Sequence, residues 1–267
     1  MKKKEVLDPA IQLESKPELR YPVLFAVWPG MGNVALNAAR YLVEKLDLSP
    51  LGRIESSEFA FAEGILVRNN IILPVELPEY RFYYWRHPKG LVDLIVFVAD
   101  NQPIHPKGYA LARLILKVAN WFGTRRIYTA AALACSISHM ESPQVWAAAT
   151  HPEILAELKR LPIRPLSEGH IMGLNGLLLG IAKQMGFEGV CLLGELPYYT
   201  VGMDNPKSSL AVLEQLCALW GIDIDSAELR EASTRKEIEI EEFIRQGNEK
   251  VIIEEMIQQA GKGDAPQ

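Results

Sequence analysis

Short apolar runs and amphipathic stretches alternate along most of this chain. Val23 to Trp28 is uninterrupted apolar sequence ending in Pro29-Gly30-Met31-Gly32, which predicts a buried strand delivered into a glycine turn. Beyond it Ala35, Ala38, Ala39, Leu42, Val43 and Leu46 recur at helical spacing, so a helix with one apolar face is expected over 34–46. The unit then returns. Val92 to Ala99 is apolar except for Asp93, as in a strand covered on both faces. It leads through Asp100-Asn101-Gln102-Pro103 into a helix whose face is Ala110, Leu111, Leu114, Ile115, Val118 and Phe122, stopped by Gly123. Further strands are expected over 126–134, 144–150, 168–172 and 190–193, with helices over 151–159, 173–185 and 208–220. Shorter β-prone pieces fill 53–59, 65–68, 71–75 and 80–85, and Asn69-Asn70 reads as a hairpin turn. In the last piece, alternation sends Tyr80, Phe82 and Tyr84 to one face and Tyr83 and Trp85 to the other.

This order predicts an α/β fold with a mainly parallel sheet sandwiched by helices. After Ile224 the chain turns Glu-rich, with apolar Leu229, Ala232, Ile240, Phe243 and Ile244, and a C-terminal helical hairpin broken at Gly247 is expected over 226–259. Residues 1–20 then read as an N-terminal extension and 21–225 as one α/β core domain. Residues 260–267 hold two glycines and a proline and read as a disordered tail.

Composition acts mainly by exclusion. A chain of 267 residues with 49% hydrophobic content can bury one large core. Its net charge of -5, with basic residues scattered along the sequence, argues against a nucleic-acid or anionic-membrane partner. Charges interrupt every apolar run before the roughly 18 residues of a membrane span, and Met1 to Lys4 lead into no signal-peptide core, so a cytoplasmic protein is expected. Cys135, Cys191 and Cys217 lie too far apart for a local metal pair and sit among apolar neighbours, as buried thiols do. None of the five histidines has a partner at metal-ligand spacing, and neither a metal nor a cofactor is expected.

Ligands on a parallel sheet bind beyond the carboxyl ends of its strands, which gathers the candidate chemistry on one rim. Gly30-x-Gly32-Asn33 before a helix can offer backbone N–H groups to an anion. It lacks both GxGxxG spacing and the GxxxxGK[ST] lysine, and a plain turn that lets helix pack on strand is the simpler reading. Asp100 and Gln102 follow the next strand. Gly173-Leu174-Asn175-Gly176 makes a second possible cradle, with Glu168-Gly169-His170 upstream, although glycine and asparagine there also serve as cap and close backbone approach. Glu195 adds a carboxylate. Ser136-Ile137-Ser138-His139 with Glu141 holds hydrolase residue types without the G-x-S-x-G elbow, and no catalytic residue is assigned.

Several of these motifs fall in a familiar order. Pro29-Gly30-Met31-Gly32-Asn33 with Ala38-Ala39-Arg40-Tyr41-Leu42, then Asp100-x-Gln102-Pro103, then Glu168-Gly169-x-Ile171-x-Gly173-Leu174-Asn175-Gly176, resemble the proteasome assembly chaperone family, second-subunit type. Leu192-Leu193-Gly194-Glu195-x-Pro197 and Pro206-Lys207-x-Ser209 are similar to its carboxyl-terminal half. The resemblance implies an α/β sandwich similar in topology to nucleoside phosphorylases, homo-oligomerisation, and a part in assembling or contacting proteasome subunits. It implies no reaction. Some relatives carry an ATP-grasp label, which no set of nucleotide and metal residues matches in this sequence. The expected function is a protein-binding, self-associating module. The alternative is a phosphate-, nucleoside- or nucleotide-binding enzyme of phosphorylase or hydrolase type, using Gly30, Asp100, Glu168 and Asn175.

Overall fold

In a computed structural model the apolar runs join into one nine-stranded sheet. The structure describes residues 7–60, 64–75 and 77–260, with side chains as far as residue 247. The expected tail beyond residue 260 and the first six residues lie outside the described residues. The strands are β1 (Ile11–Leu13), β2 (Val23–Val27), β3 (Ser49–Ile54), β4 (Val67–Arg68), β5 (Ile71–Ile72), β6 (Tyr80–Trp85), β7 (Leu94–Ala99), β8 (Arg126–Cys135), β9 (Val145–Ala149), β10 (Ile163–Pro165) and β11 (Glu188–Pro197). The sheet runs β1-β3-β6-β7-β2-β8-β11-β9-β10, and β4 pairs with β5 as a separate hairpin. Its centre, β7-β2-β8-β11, is parallel, while β6 and β9 join that centre antiparallel.

Period-two alternation builds two cores from the same strands. Val23, Phe25 and Val27 of β2, with Leu94, Val96 and Val98 of β7, face a cluster completed by α1 (Val34–Lys45), α3 (Pro152–Leu158) and α5 (Pro206–Trp220). Leu24, Ala26, Ile95, Phe97 and Ala99 point the other way, against α2 (Gly108–Trp121) and α4 (Gly173–Gln184). The aromatic strand β6 follows the same rule. Tyr80, Phe82 and Tyr84 join the second cluster, and Tyr83 and Trp85 pack on the first, so both of its faces serve the core. Burial pushes the Cys191 thiol up to about 11 and the Cys217 thiol up to about 12, which leaves both as inert packing.

Asp93, the polar interruption in an apolar strand, has a structural answer. It is buried, and its carboxylate accepts the backbone N–H groups of Arg20 and His87. Asn69-Asn70 turns the β4–β5 hairpin with φ of 51° and 64°, the left-handed pair that a tight hairpin turn requires.

Three expectations are corrected. Residues 168–172 form no strand, because after Leu166 donates to the Ala147 carbonyl the chain leaves the sheet edge. The stretch expected as a hairpin is one continuous helix, α6 (Ala227–Ala260), running through Gly247. A helix-interior glycine costs only about 1 kcal/mol and does not by itself stop a helix. Part of the supposed N-terminal extension is built into the sheet, since β1 pairs antiparallel with β3 and buries Ile11. Among the described residues no helix is long and apolar enough to cross a membrane.

Candidate functional site

The strands of the parallel centre end at Val27, Ala99, Cys135 and Pro197; the chain leaving the first two carries Gly30, Gly32, Asn33, Asp100 and Gln102, the segment from β10 into α4 carries Glu168, Gly173, Asn175 and Gly176, and Glu195 lies within β11. Gly30, Gln102, Glu168, Gly173 and Asn175 line one cleft of about 420 Å³. Its floor is the alanine-rich end of β8, Ala130 to Ala134, and Trp28, Ile171 and Met172 complete the walls. Two loops are tied together at its edge, where Gln102 Nε2 donates to the Pro29 carbonyl at 2.7 Å. Gly173, with φ of 69°, opens α4 beside Gln102, and no side chain caps that helix start.

The other rim residues face elsewhere. Gly32 has φ of 60°, and a Cβ there would sit 3.0 Å from Leu196 and 3.1 Å from Asn205. Asn33, also left-handed at φ 46°, donates Nδ2 to Asp204 at 2.7 Å. Both therefore fix the start of α1 against the entry to α5. Asp100 belongs to a charged cleft of about 180 Å³ with Arg40, Glu79 and Arg81. It pairs with Arg40 at 3.3 Å and accepts the Glu79 backbone N–H. Its charge and burial of the ring push the neighbouring Tyr80 hydroxyl up to about 12, burial being the larger cause. Gly176 lies under the Ile171 carbonyl, where a Cβ would approach the oxygen to 2.0 Å.

Glu195 is a buried staple. Its Oε1 accepts Trp146 Nε1–H at 2.7 Å and its Oε2 accepts the Gln144 N–H at 3.0 Å, holding β9 to β11. Glu195→Gln is not conservative here, because an amide has one acceptor oxygen for two donors and turns its own NH₂ toward one of them. The expected loss is about 2 kcal/mol. Thermal unfolding should show a melting temperature lower by roughly 4–8 °C. An unchanged melting temperature would mean that these two donors find other partners.

Sequence reasoning missed a polar network beside the rim. His139 is buried, with Nδ1 2.9 Å from the Tyr199 hydroxyl and Nε2 3.0 Å from Glu241 on α6. Lys207 donates to the carbonyls of His139 and Met140 and pairs with Glu237. The network pins α6 onto the loop after β8. It also engages both ring nitrogens of His139 away from Ser136 and Ser138, so the hydrolase residue types are not arranged as a nucleophile and its base. A histidine and a lysine more than sixty residues apart leave no local pattern that would have flagged the pair. Among the described residues no three metal-ligating side chains converge.

Comparison with known proteins gives a consistent frame. The profile of the PAC2 family matches residues 24–244. The chain is 31% identical over 217 residues to the uncharacterized protein MJ1210 of Methanocaldococcus jannaschii, covering 80% of each. Among solved structures, PbaB of Pyrococcus furiosus, described as an archaeal proteasome activator, is similar at 29% identity with a TM-score of 0.75, over 89% of this chain and 98% of that one. PbaA of the same organism, described as an archaeal homolog of proteasome-assembly chaperone, shares the fold at 22% identity with a TM-score of 0.69, over 94% and 97%.

Proposed function

The chain belongs to the PAC2 family, and from that premise we propose that it is a cytoplasmic, protein-binding, self-associating module that engages proteasome subunits in a chaperone-like role. The observation that carries the reading is the β4–β5 hairpin. Ile65, Leu66, Val67, Ile71, Ile72 and Val75 are each more than half exposed, and among the described residues none between 64 and 77 joins either core cluster. An isolated two-stranded hairpin is marginal in water, and a contiguous apolar patch on a soluble protein marks a surface that another molecule covers. The likeness to a proteasome activator indicates the kind of partner.

Self-association draws on a second exposed set at the rim, where Met31, Met140, Met172, Tyr198 and Tyr199 stand out from the strand ends. Static light scattering at micromolar concentration should return a multiple of 29.9 kDa. A constant monomer mass across the range would end that part of the proposal. Immobilised chain should retain purified proteasome α or β subunits through a wash at physiological salt. Failure to retain either would overturn the partner assignment.

A further inference from the structure

The cleft over β8 carries an inference that goes beyond protein binding and does not depend on it. Trp28 is only 2% exposed and lines the cleft, yet its indole Nε1–H has no hydrogen-bond partner. Asn175, on the first turn of α4, lines the same cleft, and its Oδ1 is also buried and unpartnered. An orphaned buried donor or acceptor costs on the order of 1–3 kcal/mol, so two in one cavity mark a place where a molecule bringing the complementary groups is strongly favoured. The helix start beside them has no side-chain cap and leaves further backbone donors at the wall.

We propose that this cleft is a binding site for a small, planar, uncharged molecule of the carboxamide or lactam class on an apolar ring body. Each element of that description answers a feature of the wall. The ligand carbonyl accepts from Trp28 Nε1–H, and the ligand N–H donates to Asn175 Oδ1. The ring lies against Ala131 and Leu133, the cleft-lining residues of β8 that face the same layer as Trp28 and α4. An anion is disfavoured, because among the described residues no lysine or arginine lines the cleft and the Glu168 carboxylate does. A purely apolar ligand gains nothing from Trp28 Nε1 and Asn175 Oδ1, which it would leave buried and unpartnered as they are. A volume of about 420 Å³ suits a one- or two-ring compound and falls in the ordinary range of small-molecule sites.

The test uses the full chain and a matched trio of probes, 2-naphthamide, 2-naphthoate and 2-methylnaphthalene, with affinities read by calorimetry. The amide is expected to bind about a hundredfold more tightly than the hydrocarbon, about tenfold for each of its two buried hydrogen bonds, and more tightly than the naphthoate. Trp28→Phe and Asn175→Leu should each weaken the amide by about tenfold. Asn175→Leu removes an unsatisfied group and is expected to fold as well as the parent, so it decides the matter even if Trp28→Phe is unstable. Equal binding of amide and hydrocarbon would reduce the cleft to an apolar void. Tightest binding of the naphthoate would make it an anion site. Either result, or no binding of any probe at millimolar concentration, or an amide affinity unchanged in both variants, overturns the proposal.

Discussion

Replacing Gly176 by alanine is expected to lower the melting temperature by about 10 °C, from a loss of roughly 3 kcal/mol. The added Cβ would lie 2.0 Å from the Ile171 carbonyl oxygen and 3.1 Å from its carbon. Both atoms belong to backbone, so no rotamer relieves the clash. Either α4 shifts away from β8 and β11, or the 168–172 loop is pushed off the helix, and both moves break contacts of buried Leu174 and Leu178. Gly180 in the same helix provides the control, because a Cβ there meets nothing within 4 Å. Gly180→Ala should be neutral or stabilising by up to about 1 kcal/mol, the usual gain of alanine over glycine in a helix. Equal melting temperatures for the two variants would show that Gly176 is not required for close approach, and would reopen its reading as part of a cradle.

Such contrasts explain why some of the molecule was legible and some was not. β2 and β7 read clearly because a strand covered on both faces is apolar at every position, and the two cores divide its residues by simple alternation. α1 and α2 read clearly because their apolar faces repeat at helical spacing. β1 and β10 are three-residue edge strands, too short to show alternation, and were invisible. Glu168 to Met172 is apolar only at its end, and among the described residues no strand lies beside it to pair with. Gly247 carries a breaker's prior with no cap or proline behind it, and the helix continues.

The rim shows the same limit at the level of side chains. Strand order put the right loops at one end of the sheet, and Gly30, Gln102, Glu168, Gly173 and Asn175 do share a cleft. Where the other residues point depends on backbone angles that sequence does not state. Left-handed φ at Gly32 and Asn33 turns them toward α5, and Asp100 and Glu195 find partners on Arg40 and Trp146. Trp28 was only the last letter of an apolar run, and an orphaned N–H exists solely in the folded packing.

The remaining large effect belongs to the hairpin, where Ile71→Asp combined with Ile72→Asp is expected to weaken retention of proteasome subunits at least about a hundredfold while leaving the melting temperature unchanged. Adjacent strand residues point to opposite faces, and both side chains are well exposed, at 64% and 66%. Folding therefore gains little from either, and surface substitutions of this kind stay within about 0.5 kcal/mol. The double variant therefore alters whichever face a partner covers, where the isoleucine would contribute on the order of 1.5–3 kcal/mol by burial and a carboxylate in its place would have to be desolvated as well. Loss of that burial and the desolvation of the carboxylate together exceed the 2.8 kcal/mol or so that separates a hundredfold in affinity. Phe243→Asp, at an equally exposed position on α6, is the companion measurement. Loss of retention in the hairpin variant alone places the contact on β4–β5, whereas loss only with Phe243→Asp moves it to α6 and removes the hairpin from the proposal.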